Sequence, residues 1–382
     1  MSAQLDPSEL NAYRDTLVKF LENEVRPVFE QWERDGLMPR EFWNVLGENG
    51  FLCVDIPEEY GGIGAPYAYA PLAVQESSRA GFGSLATGIS VHSEIVAPYI
   101  WHLGTEEQKQ YWLPKMVTGE AIGAIAMTEP GAGSDLQGMR TTAVKDGNEY
   151  VINGSKTFIT NGQHADVVVL AVKTDPAAGA KGVTLFLVDA KTPGFSRGRK
   201  LEKMGLHSQD TSELFFDNMR VPESAVLGQV GRGFIHLMEE LPRERLTIAV
   251  QALGAAEGAL AATVAYVTER KAFGAPISAL QNTRFKIAEM KTEIALNAAF
   301  IKECMAKYEN RELDVPTAAM VKLASTEMQC RIIDECLQLH GGYGYMMEYP
   351  ISRFYIDARI QRIYGGTSEV MKEVIARSVV GR

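Results

Sequence analysis

The sequence predicts an α+β protein in which two helical domains flank a central β domain. Apolar side chains recur at helical spacing in residues 1–122, for example at Leu17 and Leu21. In residues 123–232 their period shortens to two, and in residues 233–382 long helical patterns return. These three ranges are the predicted domains, because a chain of 382 residues is long enough for two or three.

The first domain is predicted to consist of helices that proline and glycine separate. Pro27 and Pro39 interrupt its helical pattern. One helix is predicted from Glu106 to Val117, where Met116 belongs to the apolar face and Gly119 ends the run.

The second domain is predicted to be built from strands. Apolar runs such as Val167–Val172 and Val183–Val188 are typical of strands. Three residue pairs in this domain adopt positive φ at little cost and so favour tight hairpins. They are Asp146–Gly147, Asn153–Gly154 and Asn161–Gly162. Antiparallel pairing in a barrel or a sandwich is the prediction.

The third domain is predicted to contain long helices. The patterns cover Leu246–Phe273, Leu280–Tyr308, Thr317–His340 and Glu369–Val380. Many alanines and glycines between residues 252 and 262 make the first helix slim. A slim helix suits either tight packing in a bundle or the close approach of a ligand.

Composition and charge exclude several classes of protein. Apolar residues make up 46% and charged residues 23%, which excludes collagen-like and broadly disordered chains. The net charge of −10 has the wrong sign for nucleic-acid binding. No purely apolar run approaches the roughly 20 residues that a membrane span requires. The first six residues show no signal or transit pattern, so we expect a cytoplasmic protein without a membrane span.

Cysteine and histidine spacing predicts no metal site. The four cysteines are scattered without a CxxC pair, which argues against a disulfide framework or a zinc knuckle. The six histidines include no HExxH motif.

Three glycine-rich segments are candidates for ligand binding. Thr128–Asp135 could cradle an anion with its backbone amides, although it lacks the lysine of a P-loop and a surrounding βαβ unit. His340–Tyr345 could be a helix C-cap or a surface against which a ligand lies. Tyr364–Glu369 could be a turn whose Thr367 or Ser368 caps the next helix. Taken singly, each segment is also explained by local structure.

Together these segments resemble the acyl-CoA dehydrogenase family along essentially the whole chain. Ala126–Asp135 is similar to the family's first signature, and Gln338–Tyr345 through Asp357–Arg359 is similar to its second. The long-chain branch is the most similar. Its resemblance rests on Ser90–Ser93, Lys203–Leu206, Gln209–Phe216 and Leu241–Leu246.

The resemblance implies a fold and a reaction. The fold is an N-terminal α domain, a central antiparallel β barrel and a C-terminal four-helix bundle, usually assembled as a homotetramer. The reaction is FAD-dependent α,β-dehydrogenation of an acyl-CoA thioester to trans-2-enoyl-CoA, with electrons passed to an electron-transfer flavoprotein. Such a reaction requires a carboxylate base and donors for the thioester oxyanion.

The resemblance also assigns the base. Many relatives carry a glutamate directly after the tyrosine of Tyr-Glu-Gly-Thr, but this chain has Gly365 after Tyr364. The long-chain and isovaleryl branches place the base on a bundle helix instead, where this sequence matches with Glu244. Without the resemblance, Glu244 could merely complement a helix dipole in a first turn that begins near Pro242. The Gly365 backbone N–H remains available as an oxyanion donor.

The remaining site residues follow from the same residue-by-residue match. Contacts to FAD within one subunit are predicted for Met127, Thr128, Ser134, Phe158, Ile159, Thr160, Thr367 and Glu369. Contacts to the FAD of a neighbouring subunit are predicted for Arg270, Phe273, Gln281, Gln338, Gly341 and Gly342. Substrate contacts are predicted for Ser134, Arg245, Tyr364 and Gly365.

The acyl group is predicted from the helix that carries Glu244. Ile248, Ala252 and Ala255 fall on one face, and small side chains there would leave room for a medium-to-long or branched acyl tail. A short branched, isovaleryl-like substrate is the second candidate. The same motifs also admit an oxidase that passes electrons to oxygen, a binding scaffold that lost catalysis with the Gly365 change, and a flavin monooxygenase.

Overall fold

The N-terminal domain is helical, as the sequence predicts. The computed structural model describes residues 6–381, so Met1–Leu5, part of the segment searched for a targeting signal, lie outside the described residues. The helices are α1 (Pro7–Phe20), α2 (Arg26–Asp35), α3 (Phe42–Glu48), α4 (Leu72–Arg79), α5 (Gly83–Ile89), α6 (Ala97–Leu103) and α7 (Glu106–Val117). Two π-helical segments, Leu21–Val25 and Ser90–Val96, join α1 to α2 and α5 to α6.

Local signals account for the predicted helix α7. The Thr105 hydroxyl accepts from the Gln108 backbone N–H at 3.3 Å, and the Gln108 side chain accepts from the Thr105 backbone at 3.0 Å. This capping box satisfies two orphan donors at the helix start. Past the helix end, Gly119 adopts a φ of 73°. The prediction of Glu106–Val117 is therefore confirmed.

The central domain contains one eight-stranded sheet. Its strands are β1 (Gly123–Ala126), β2 (Thr142–Asp146), β3 (Glu149–Thr160), β4 (Val167–Lys173), β5 (Val183–Asp189), β6 (Phe195–Lys200), β7 (Thr211–Pro222) and β8 (Val226–Leu227). The order is β6-β7-β3-β2-β4-β5-β8, with β1 beside β4. Alternate residues of β4 enter two cores: Val167 and Val169 pack toward the N-terminal helices, and Val168 and Leu170 pack inside the β domain. Burial on both faces explains why β4 reads as a continuous apolar run.

The sheet differs from the predicted antiparallel barrel in its strand directions. It is mixed, because β1 runs parallel to β4 over four residue pairs and β2 meets β4 in parallel at Thr142 and Lys173. About 40 residues separate β1 from β4, which is long enough for the crossover that parallel pairing needs.

Only one of the three predicted hairpins joins paired strands. Gly147 turns between β2 and β3 as predicted. Gly154 instead marks a bulge inside β3, and Asn161, at φ 62°, turns the chain after β3 toward a strand that is not its neighbour. A bulge and a hairpin make the same demand for positive φ, so the residue pairs could not distinguish them.

The C-terminal domain is the predicted helical bundle. Its elements are α8 (Gly233–Glu269), the short strands β9 (Lys271–Ala272) and β10 (Ala275–Pro276), α9 (Gln281–Glu309), α10 (Val315–His340), α11 (Pro350–Ala358) and α12 (Ser368–Val380). The first helix starts 13 residues earlier than predicted and ends before Phe273. Leu246 and Leu253 of α8 share a buried core with Ile294 of α9 and Ile333 of α10.

The helix α8 is long and apolar enough by composition to cross a membrane. However, 72% of its most apolar 18-residue window is buried inside the protein, as expected for a core helix. Among residues 6–381, no group of three or more histidine, cysteine or acidic side chains could hold a metal ion. All four cysteines are free thiols.

Candidate active site

The side chain of Glu244 lies buried where α8 faces the N-terminal domain. It is 5% exposed, and its Oε1 accepts a hydrogen bond from the Tyr99 hydroxyl of α6 at 2.9 Å. Burial raises the pKa of Glu244 to about 7; the neighbouring Glu240 raises it further, whereas Tyr99 and Arg245 lower it. A carboxylate with a pKa near neutrality is suited to general-base chemistry.

The structure shows that the helix-dipole explanation for Glu244 is wrong. The helix begins at Gly233, so both Pro242 and Glu244 lie inside it. The dipole acts within the first turn and does not account for a buried carboxylate this far along.

The loop that contains Gly365 packs on α8 next to Glu244. The Tyr364 hydroxyl donates to Gln251 Oε1 at 3.3 Å, and a Cβ built on Gly365 would overlap Ile248 Cδ1, one helical turn beyond Glu244. Gly365 also has a φ of 63°, a conformation that favours glycine. A side chain at residue 365 would therefore need Ile248 to shift and the backbone to keep a conformation that favours glycine, which fits a base supplied by α8.

The guanidinium of Arg245 is enclosed and lacks partners. Its Nε and Nη1 atoms make no hydrogen bond within residues 6–381, and burial lowers its pKa although Glu244 raises it. A buried unpaired cation is costly, so the site calls for an acceptor that the chain itself does not provide. A carbonyl or anionic group of a bound ligand meets that need.

The structure brings together the two segments that were predicted to contact one face of FAD. The Thr157 backbone N–H donates to the Thr128 carbonyl at 2.9 Å, and the Lys156 ammonium donates to the Met127 carbonyl at the same distance. Phe158 follows at a φ of 60°, with its side chain 66% exposed. Met127, Thr128, Phe158 and Thr160 therefore lie at one edge of the β domain, whereas the side chain of Ile159 is buried in the core of that domain.

Sequence reasoning missed the ion pair that fixes this edge. Lys156 is fully buried and binds Glu129 Oε1 at 2.9 Å. Glu129 also accepts from the backbone of Arg140 at 2.6 Å and of Thr141 at 3.0 Å, which closes the glycine-rich turn. An acidic residue inside the first signature was the available signal, but no feature of the sequence pointed to its partner.

Ser134 lies exposed on the open side of that turn. Cβ atoms built on Gly131 and Gly133 would meet nothing within 4 Å. These glycines are therefore not required by packing within the chain, and their backbone is free to approach a phosphate.

The residues predicted to reach a neighbouring FAD gather at one end of the bundle. The Arg270 guanidinium lies 5.3 Å from the centre of the Tyr343 ring. Phe273 occupies the turn between β9 and β10 and is 99% exposed. Gln281 begins α9, Gln338 is exposed near the end of α10, and the Cβ positions of Gly341 and Gly342 are open.

Thr367 caps α12, the local role that its position before a helix also predicts. Its hydroxyl accepts from the Val370 N–H at 3.3 Å, and Glu369 is exposed in the first turn of α12. Their contacts to FAD stay predictions.

The face of α8 that was predicted to border an acyl tail is buried. Ile248, Ala252 and Ala255 are all buried, and the cavity next to Ala255 and Gln251 measures about 10 Å³, enough for one water molecule. Phe354 of α11 also lines it.

A buried carboxylate with a raised pKa, an enclosed guanidinium and an exposed aromatic side chain beside open glycine loops are features that suit an oxidoreductase with a bound flavin. These residues fit FAD, since Ser134 and Arg270 offer donors for its pyrophosphate and Phe158 a surface for its ring.

Comparison with known proteins identifies the family. The acyl-CoA dehydrogenase N-terminal domain matches residues 7–120, the middle domain residues 124–219 and the C-terminal domain residues 231–380. The chain belongs to the acyl-CoA dehydrogenase family, whose members are FAD-dependent oxidoreductases. The predicted family, fold class and cofactor are confirmed.

Relatives and solved structures cover nearly the whole chain. The long-chain specific acyl-CoA dehydrogenase of Sus scrofa is 48% identical over 98% of this chain and 87% of its own length. An acyl-CoA dehydrogenase from Geobacillus kaustophilus is 50% identical, with a TM-score of 0.96 over all of both chains. A chain solved in work on the electron-transferring flavoprotein of Acidaminococcus fermentans has 37% identity and a TM-score of 0.95 over all of both chains. A glutaryl-CoA dehydrogenase from Mycobacterium smegmatis in complex with FADH2 has 32% identity and a TM-score of 0.93 over 99% and 96% of the chains.

Proposed function

We propose that this acyl-CoA dehydrogenase oxidises medium-to-long or branched acyl-CoA thioesters to trans-2-enoyl-CoA in fatty-acid β-oxidation, with Glu244 as the base. The observation that carries the assignment is the packing of the Gly365 loop on α8 one turn from the Glu244 carboxylate. A residue without a side chain and a buried carboxylate at the same place are explained together by a relocated base.

Each step assigned to the chain uses a group that its geometry leaves free. Glu244 takes the proton from the carbon next to the thioester carbonyl. The Gly365 N–H, which donates no hydrogen bond within residues 6–381, is free to donate to the thioester oxygen as charge develops there. Phe158, Ser134 and Arg270 would hold FAD, which would supply the acceptor for the hydride of the β carbon. The surrounding burial of Glu244 and Arg245 keeps water away from the reacting atoms.

The likeness to the long-chain branch supports the proposed acyl group. A second candidate is a short branched, isovaleryl-like group, which the 37% identity to the isovaleryl-CoA dehydrogenase of Solanum tuberosum supports.

We expect acyl-CoA substrates to bleach the bound flavin in the absence of oxygen. The test compares butyryl-, octanoyl-, palmitoyl- and isovaleryl-CoA by the rate at which the visible flavin absorbance is lost. Faster reduction by octanoyl- or palmitoyl-CoA supports the proposal, and fastest reduction by isovaleryl-CoA supports the second candidate. A flavin that no thioester bleaches would contradict dehydrogenation and leave a binding scaffold.

We further propose an electron-transfer flavoprotein as the electron acceptor. Family membership supports this partner. Turnover that requires the added flavoprotein fits the proposal, whereas stoichiometric hydrogen peroxide in its absence would identify an oxidase.

We also propose a homotetramer in which the bundle end of one subunit reaches the FAD of the next. The exposure of Phe273 and the open Gly341 and Gly342 support this arrangement, because within residues 6–381 nothing covers these three residues.

Replacing Arg270 with alanine is expected to weaken FAD binding about tenfold or more, because a hydrogen bond to a charged group is lost. Bound FAD is measured from its visible absorbance, and mass by light scattering. Arg331→Ala is the matched control: Arg331 is also an exposed bundle arginine and pairs with Glu293. Equal FAD retention in both variants, or a monomeric FAD-loaded protein, would contradict the shared site.

A further inference from the structure

The two oxygens of the Glu244 carboxylate have different surroundings. Oε1 accepts from the Tyr99 hydroxyl at 2.9 Å. Oε2 has no hydrogen-bond partner in the part of the chain that the structure describes. Glu244 is 5% exposed, and Tyr99 is fully buried.

Tyr99 reaches the carboxylate from the other helical domain. It is fully buried in α6, which directly follows the π-helical segment Ser90–Val96. A π-helical turn contains an additional residue and therefore changes the direction in which the following side chains point. The contact joins the N-terminal domain to the helix that carries the base.

Few other polar groups act on Glu244. Glu240 and Arg245 lie on its own helix, and Glu240 accepts from His102 of α6 at 2.8 Å. No charged side chain of the Gly365 loop is among the groups that shift the pKa of Glu244. Tyr99 is thus the single hydrogen-bond donor to the carboxylate among residues 6–381.

We propose that Tyr99 is a positioning residue that holds Oε1 of Glu244, so that Oε2 is the oxygen that takes the substrate's α-proton. The inference rests on the proposed role of Glu244 as the base. In the step, the α C–H bond breaks, an O–H bond forms at Oε2, and the electron pair of the C–H bond stays with the substrate. The phenol keeps its own proton and remains a donor, because burial and the adjacent Glu244 raise the pKa of Tyr99.

The substitution Tyr99→Phe tests this role through the pH profile of flavin reduction by acyl-CoA. The lost hydrogen bond favours the ionised carboxylate, so its removal is expected to raise the midpoint from about 7 by about one unit. Loss of orientation is expected to lower the high-pH plateau about tenfold as well. A purely structural role would change stability but leave the midpoint in place.

Tyr13→Phe is the matched control. Tyr13 is also in the N-terminal domain, and its hydroxyl donates to the Gly50 carbonyl at 3.1 Å, away from Glu244. We expect the wild-type midpoint and plateau in this variant. A Tyr99→Phe profile identical to that of Tyr13→Phe would overturn the inference.

A double variant separates this inference from the base assignment. In a Glu244→Gln background, Tyr99→Phe is expected to slow the residual flavin reduction less than about twofold, because no base remains to be positioned. A full additional loss would show that Tyr99 acts elsewhere. Normal reduction by Glu244→Gln alone would instead remove the base assignment itself.

Discussion

Replacing Glu244 with glutamine is expected to slow flavin reduction by acyl-CoA about 10²- to 10⁴-fold, the usual contribution of a general base. The amide has the same shape, and its oxygen can still accept from Tyr99. The variant should therefore keep FAD and bind the thioester while losing the proton acceptor. Anaerobic stopped-flow absorbance measures the rate, and equilibrium titration measures binding.

The rate of flavin reduction is also expected to depend on pH. The wild-type rate should rise with pH through a midpoint near 7, because only the ionised carboxylate accepts a proton and burial has raised its pKa. The glutamine variant should show no such rise. A rate within a few-fold of wild type would mean that another group is the base.

Glu240→Gln is the matched control for Glu244→Gln. Glu240 is buried on the same helix, one turn earlier. Since its negative charge raises the pKa of Glu244, its neutralisation should move the midpoint to lower pH and leave the plateau within a few-fold of wild type.

The spacing of apolar residues along the sequence predicted most of the fold, because that spacing reflects which side chains are buried. The apolar run of β4 follows from burial on both faces, and α7 carries its own start and stop signals. The start of α8 was predicted at Leu246, and the helix-dipole explanation of Glu244 placed Pro242 in a first turn. Proline is common in the first turn of a helix, but here it lies inside the helix.

The sequence predicted a site residue only where that residue lies in a segment that resembles a family motif. Glu244 and Gly365 could be paired by their resemblance to a family pattern. Tyr99 is 145 residues from Glu244, and nothing in the local sequence of either residue points to the other. The pairing of Lys156 with Glu129 was hidden for the same reason.

Replacing Arg243 with methionine is expected to lower the free energy of unfolding by about 3–5 kcal/mol. Arg243 is 2% exposed and binds Asp55 at 2.7 Å and Glu94 at 3.0 Å. Its removal leaves two buried carboxylates without their counter-ion. Urea denaturation of the FAD-loaded protein measures the loss.

The exposed Arg220 provides a matched control for Arg243. It also pairs with two carboxylates, Asp146 at 2.8 Å and Glu149 at 3.0 Å. Because water already solvates these groups, Arg220→Met should lower the free energy of unfolding far less than Arg243→Met does. Equal losses in the two variants would contradict burial as the cause.

Neutralising the partners of Arg243 distinguishes charge from packing. Adding Asp55→Asn and Glu94→Gln to Arg243→Met removes the uncompensated charges while keeping the side-chain shapes, so most of the lost stability should return. The Arg243 Nε also donates to the backbone carbonyl of Glu94 at 3.0 Å. That contact ties α8 to the N-terminal domain beside Glu244. If charge alone governs stability, the triple variant should regain the free energy of unfolding of the wild type. It should still reduce flavin more slowly than wild type, because the helix segment that carries Glu244 has lost this contact to the N-terminal domain.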